Sequence, residues 1–266
     1  MKENNNLRVT IIQPDILWKN IGENLHRYSF MLDRQKAATD LVLLPEMFST
    51  GFITRPEEVA ETMNGSTVRW MKRTAEKHHC SVAGSLIIRE NRRFFNRLIY
   101  IDQHENLTWY DKRHLFSMED EESAYTSGMT RLIVPLKGWQ ISFQICYDLR
   151  FPVWARNQND YDVLVNVANW PVSRDEVWHT LLKARAIENQ SYVIGVNRVG
   201  TDGNGWTYTG NSMVINSKGE ATGKFQKSRE GIKTFTLSWD ELNEFRKKFP
   251  VWKDRDNFAF TAEDKM

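Results

Sequence analysis

Cys146 closes the run Trp139-Gln-Ile-Ser-Phe-Gln-Ile-Cys-Tyr-Asp-Leu-Arg-Phe-Pro152, and a thiol in that position can serve as a nucleophile. Ile141, Phe143 and Ile145 alternate with Ser142, Gln144 and Cys146, the period of two expected of a strand with one apolar face. Pro152 then occupies the first-turn position of a helix over 153–157. The cysteine is therefore expected on a strand-to-helix turn, partly exposed and near a helix N-terminus, where backbone dipoles favour the thiolate. A lone cysteine is more often inert core filler, so its neighbours must decide. Three other apolar strands also end in polar groups. Leu43-Leu44-Pro45-Glu46 brings a carboxylate to a strand exit, since Pro45 removes a backbone donor and turns the chain out of the sheet. Trp109-Tyr110-Asp111-Lys112 brings an ammonium past a hairpin strand, and Val165-Asn-Val-Ala-Asn169-Trp170-Pro171 brings an amide and an indole. Taken singly, Glu46 reads as a loop charge, Lys112 as part of a solvated basic run and Asn169 as a turn. Together, a Cys, a Glu and a Lys at strand exits supply a nucleophile, a proton carrier and an oxyanion partner.

The elements that would position them alternate along the chain. Strands are expected over 7–13, 41–44 and 81–89, with helices over about 18–38 and 66–79 between them. A hairpin over 93–102 and 107–110 follows, turning at Gln103-His-Glu-Asn106. Further strands are expected over 131–136, 140–145, 162–167, 192–199, 212–216 and 232–237. Helices are expected over 175–189, opened by a capping box at Ser173-Arg-Asp-Glu176, and near 240–248. No linker, composition shift or internal repeat divides the chain, so one α/β domain over 1–266 is the economical reading. About five substantial helices cannot cover so many strands on both faces. Two sheets packed against each other solve this, giving a layered α-β-β-α sandwich.

Composition excludes several function classes. The chain has 266 residues, a hydrophobic fraction of 41% and ten tryptophans, enough for an extensive core. Its 36 basic and 34 acidic side chains are intermixed, leaving no basic stripe for nucleic acid and no charged tail. Cys80 and Cys146 are too few for a disulfide framework, which points to a reducing compartment. With no apolar leader and no membrane-length apolar run, the expected location is the cytoplasm. No metal is expected: the side chains of His78, His79 and Cys80 diverge from consecutive positions. Asp202-Gly-Asn-Gly205 lacks the later ligands of a calcium loop and reads as a tight turn.

Pro45-Glu46, Asp111-Lys-Arg-His-Leu115 and Cys146-Tyr-Asp-Leu-Arg-Phe-Pro152, in that order, resemble the three signature segments of the nitrilase, or carbon–nitrogen hydrolase, superfamily. The resemblance runs from Arg8 to about Trp252. Leu115-Phe-Ser-Met118, Asn169-Trp-Pro171, Ala184-Arg-Ala-Ile-Glu-Asn-Gln190 and Gly195-Val-Asn-Arg-Val-Gly-Thr-Asp-Gly-Asn-Gly205 resemble its bacterial omega-amidase branch. That resemblance implies a Glu46–Lys112–Cys146 triad and hydrolysis of the terminal amide of a 2-oxo acid such as 2-oxoglutaramate through a thioester, without a cofactor. The second glutamate of many members best matches Glu121, with Glu119 and Glu122 beside it. The Tyr147 amide is the expected second oxyanion donor. Phe116, Tyr125 and Trp170 are candidate pocket walls, as well as candidate core aromatics. Arg174 is the candidate for the substrate carboxylate, while Arg150 is expected to brace the cysteine turn. A homodimer or larger even oligomer is implied, extending the sandwich across a two-fold axis through the helices that carry Trp154 and Trp178. Alternatives are another amide or N-carbamoyl amino acid hydrolase of the superfamily, or a binding protein with a disused site.

Overall fold

A computed structural model describes residues 5–260. In chain order the elements are β1 (Leu7–Gln13), α1 (Ile21–Arg34), β2 (Leu41–Leu43), α2 (Ser66–His78), β3 (Ser81–Glu90), β4 (Arg93–Ile101), β5 (Leu107–Asp111), α3 (Glu121–Ala124), β6 (Leu132–Leu136) and β7 (Trp139–Ile145). They continue as α4 (Pro152–Ala155), β8 (Val163–Val167), α5 (Asp175–Asn189), β9 (Tyr192–Val196), β10 (Val199–Thr201), β11 (Thr207–Thr209), β12 (Met213–Ile215), β13 (Ala221–Lys224), β14 (Gly231–Leu237) and α6 (Trp239–Lys248).

The strands build two sheets of six among the described residues, ordered β14-β1-β2-β3-β4-β5 and β13-β12-β9-β8-β7-β6. Each has a parallel triplet at its heart, β1-β2-β3 in one and β7-β8-β9 in the other, with antiparallel strands outside. Short apolar runs such as Leu41–Leu43 and Tyr192–Val196 fit those places, because a parallel strand covered on both faces favours apolar residues on each.

The sheets face each other across a shared core. Val9, Ile11, Leu43, Leu98 and Tyr110 of the first meet Ile141, Phe143, Ile145, Val165 and Ile194 of the second. Helices α1 and α2 cover the outer face of the first sheet through Leu25, Tyr28, Val68 and Met71. Helix α5 covers the second through Trp178, Leu182 and Ala186. The result is two mixed sheets flanked by helices, the layered α/β sandwich expected of the chain.

Several boundaries differ from expectation. Helix α1 begins later than 18 because the Asn20 side chain accepts from the Glu23 amide and caps it, and it ends at Arg34, where Gln35 turns extended. The expected capping box at Ser173 is absent. Residues 172–174 form a 3-10 turn and α5 starts at Asp175 without a side-chain cap, leaving Asp175 and Glu176 to meet its dipole. The strand expected over 192–199 breaks after Val196, and β10 leaves the sheet to pair with β11 in a separate hairpin. Strand β13 gave no sequence signal: Ala-Thr-Gly-Lys is a weak strand former on an exposed edge. Trp154 and Trp178, expected to face a partner, are buried within the chain, one against Phe260 and the other against Trp170.

Candidate active site

Four strand exits converge at one end of the sandwich. Glu46 follows β2 and Lys112 follows β5, both from the first sheet; Cys146 follows β7 and Asn169 follows β8, both from the second. Sites in α/β folds collect where strands end at their carboxyl sides.

Glu46 and Lys112 are fully buried and joined directly, Nζ to Oε1 at 2.9 Å. The same Nζ reaches both oxygens of Glu121, at 3.0 and 2.8 Å. Glu121 opens the short helix α3, and its Oε2 also accepts the Phe116 amide at 2.7 Å. Glu119 lies on the cleft wall and Glu122 is exposed, so of the three candidate glutamates the fold brings Glu121 to the lysine. Burial works against the Lys112 ammonium, but Glu121 and Glu46 outweigh it and hold its pKa well above the ordinary lysine range. Burial also pushes the Glu121 carboxyl above its usual range, with Lys112 pulling the other way.

The Cys146 thiol is not the ready thiolate that its sequence position promised. Cys146 opens a 3-10 turn over 146–150, so little dipole accumulates behind it. Burial drives its pKa well above the normal thiol value, and the Glu46 and Glu121 charges push the same way against Lys112. A thiolate would add its charge beside two carboxyl groups and a single ammonium. These influences favour the neutral thiol, which donates to the carbonyl oxygen of Asn169 at 3.9 Å.

The backbone holds the thiol in place. Cys146 has φ +45°, a left-handed conformation that costs an ordinary residue about 1–2 kcal/mol. Asp148 compensates for it: its buried carboxylate accepts from the Tyr110 hydroxyl (2.7 Å), the His114 amide (2.9 Å), His114 Nδ1 (2.8 Å) and the Ile145 amide (3.0 Å). Arg185 of α5 adds a bond to the Leu149 carbonyl at 2.7 Å. Bracing thus falls to Asp148 and Arg185, not to Arg150, which lines the cleft over the Trp170 ring. As the second residue of the turn, Tyr147 has no partner for its amide within that turn.

Above these groups opens a narrow cleft lined by Phe52, Phe116, Tyr147, Trp170, Trp206 and Tyr208 around Lys112 and Cys146. Its mainly aromatic lining with a few convergent polar groups suits a small metabolite. Phe116 and Trp170 thus stand where a pocket wall was expected. Tyr125 does not: its hydroxyl bonds the Ile53 carbonyl and its ring packs with Met47 and Ile87, so it is a core aromatic. Arg174 lies over the rings of Phe116 and Trp206, at 5.2 and 5.6 Å. Among the described residues neither Arg174 nor Arg150 makes an ion pair with a carboxylate. The hairpin β10–β11, closed by the Asp202 turn, delivers Trp206 and Tyr208.

Sequence reasoning missed Asn96, Asp148 and the hairpin aromatics. Asn96 carried a readable signal, a polar residue between Phe94 and Leu98 on the inward face of a strand. Asp148 did not, because Tyr110 and His114, which supply three of its four donors, are distant in sequence. Among the described residues, no group of three or more His, Cys, Asp or Glu could hold a metal ion.

The carbon–nitrogen hydrolase family model matches residues 8–247, and the chain belongs to that family. It is a hydrolase of non-peptide carbon–nitrogen bonds. It is similar to the omega-amidase YafV of Escherichia coli K12, with 42% identity covering 95% of this chain and 98% of that one. It is also similar to the 2-oxoglutaramate amidase of Bacillus subtilis, with 32% identity covering 92% and 96% of the two chains. Among solved structures, a CN-hydrolase superfamily protein of Xanthomonas campestris, with an arsenic adduct in its active site, superposes with a TM-score of 0.94 at 40% identity, covering 96% of this chain and 99% of that one.

Proposed function

We propose that the protein is an omega-amidase, hydrolysing the terminal amide of a 2-oxo dicarboxylic acid monoamide such as 2-oxoglutaramate to the 2-oxo acid and ammonia. The observation that carries this reading is the cleft itself. A thiol and an ammonium line its floor with the Glu46 carboxylate buried behind the ammonium, and two guanidinium groups without a carboxylate partner stand on an aromatic wall. The high identity to relatives named for that activity supports it.

In this reading Cys146 attacks the amide carbon as its proton passes to Glu46. The order follows from charge: free thiolate is too costly here, so proton transfer accompanies carbon–sulfur bond formation. The carbonyl oxygen becomes an oxyanion held by Lys112 Nζ and the Tyr147 amide, each donor worth about 3 kcal/mol of barrier. Glu46 returns its proton to the amide nitrogen, the carbon–nitrogen bond breaks and ammonia leaves. Water then attacks the thioester as Glu46 takes one of its protons, and the thiol is restored. Glu121 holds Lys112 so that its ammonium is not drawn fully onto Glu46. Arg174 takes the distal carboxylate of the substrate. The neutral 2-oxo group suits the aromatic wall, where the α-ammonium of glutamine would be desolvated without a carboxylate to pair it.

The test is ammonia release from 2-oxoglutaramate, glutamine, butyramide and N-carbamoyl amino acids. The expected kcat/KM for 2-oxoglutaramate exceeds that for glutamine by about a hundredfold or more, and Arg174→Ala removes the advantage over butyramide. Equal rates on 2-oxoglutaramate and glutamine would reject this substrate, and faster turnover of carbamoyl compounds would move the protein to another branch of the family. No described helix is long and apolar enough to cross a membrane, and both cysteines are free. We place the enzyme in the cytoplasm as a homodimer; exposed Val153 and Ile187 near the cysteine turn and α5 are the surface for a second copy.

A further inference from the structure

We propose that Asn96 is a positioning residue that fixes which oxygen of Glu46 moves the proton. Its side chain lies fully buried on β4 between the two glutamates, with Nδ2 2.8 Å from Glu46 Oε1 and 3.1 Å from Glu121 Oε1. Its orientation is set from behind. The Met47 amide donates to Ser85 Oγ at 2.9 Å, so the Ser85 hydroxyl is left to donate to Asn96 Oδ1 at 2.8 Å. The amide group must then present its two N–H bonds to the two carboxylates, a polarity imposed by the backbone at the start of the chain of bonds. The Asn96 carbonyl also accepts the Lys112 amide at 3.0 Å, so one residue anchors all three charged groups.

This arrangement gives the two oxygens of Glu46 different work. Oε1 accepts from both Lys112 and Asn96, which fills its lone pairs. Oε2 accepts the Asn169 amide at 2.8 Å and, only at 3.4 Å, the Asn169 Nδ2 that bonds the Glu46 carbonyl more closely at 2.7 Å; the Asn169 carbonyl in turn accepts from Sγ. Oε1 thus carries an ammonium and a short amide bond while Oε2 carries one short bond, so the less heavily bonded oxygen is the one beside Asn169. With Oε1 occupied, the proton taken from Cys146 resides on Oε2, from which the leaving nitrogen can collect it. The inference rests on Glu46 being the proton carrier of the mechanism above. The titratable groups facing that carboxylate are Lys112, Glu121, Cys146, Tyr125 and Tyr208.

Asn96→Leu keeps the shape and removes both donors; Ser85→Ala keeps the amide but removes the group that orients it. With 2-oxoglutaramate, the expectation for Asn96→Leu is a kcat reduced about tenfold or more, a KM within about twofold, and an acid limb of the pH profile moved up by about one unit. The ionised pair has lost two donors, and the limb follows the pair. Ser85→Ala should shift the limb the same way by less. A second readout needs no substrate: in ¹³C-glutamate-labelled protein, the infrared band of a protonated buried carboxyl should appear at higher pH in Asn96→Leu than in wild type. If wild type hydrolyses none of the amides, the functional reading fails, yet the infrared comparison still decides the role of Asn96. Thermal melts confirm that each variant is folded. An acid limb and a carboxyl band unmoved in folded variants, with turnover falling only with the folded fraction, would reduce Asn96 to a core residue and overturn the proposal.

Discussion

Cys146 and Cys80 differ in access more than in acidity. Burial pushes the Cys80 thiol up to about 12, and Cys146 lies well above its ordinary value as well, but Cys80 is enclosed between α2 and β3 while Cys146 meets the cleft. Iodoacetamide should label Cys146 alone in the folded protein, at a rate that still climbs through pH 9, since the thiolate fraction keeps rising with pH until a raised pKa is reached. A plateau near pH 7, read by mass spectrometry of the modified peptide, would mean a preformed thiolate and a different mechanism. Glu46→Gln preserves shape and abolishes proton transfer, so turnover should fall at least about 10³-fold with KM little changed. Lys112→Arg puts a broad fork where one compact ammonium meets three carboxylate oxygens; most of kcat should be lost there too. Steady-state kinetics on folded variants checks both, and a change confined to KM would remove that residue from the chemistry.

At the scale of elements, the cysteine turn depends on one carboxylate with four donors. Asp148→Asn is nearly isosteric but sets an NH₂ group against hydrogen bond donors. Each unmet buried partner costs about 1–3 kcal/mol, so the melting temperature should drop by roughly 10 °C. Activity should fall further than stability, because the left-handed Cys146 backbone loses its support. Calorimetry and kcat measured on the same preparation separate the two, and an unchanged kcat would show that the turn holds itself. These elements also mark how far the sequence could be read. Strands with a repeating apolar pattern, such as β7 and β8, and the polar residues at their exits were legible because periodicity and motif order are local. The bonds of Asp148 to Tyr110 and His114 span 38 and 34 residues and left no local mark. Tyr125 sits in Ser123-Ala-Tyr-Thr-Ser127 and Arg174 in Val172-Ser-Arg-Asp-Glu176, and nothing local told the core residue from the cleft residue. The exposed appearance of Trp154 and Trp178 failed likewise, because what covers Trp154 is a segment over 100 residues further along the chain.

At the scale of the whole molecule, the uncovered apolar side chains Val153, Ile187 and Phe249 predict self-association. Light scattering should give about twice the 31.3 kDa chain mass at micromolar concentration, and Ile187→Glu should shift it toward monomer; a wild-type monomer would refute the dimer. The division of the site between the two sheets has another outcome. Glu46 and Lys112 ride on one slab, Cys146 and Asn169 on the other, with an apolar layer between them that a few bonds cross, Asn169 to Glu46 and Tyr110 to Asp148. Hydrolysis thus acts as a gauge of alignment across that seam: a slip of about 1 Å, too small to unpair a single strand, can cost a hundredfold in rate. In rising urea, turnover should fade before far-ultraviolet dichroism changes, and the two curves would coincide only if the slabs part and melt as one.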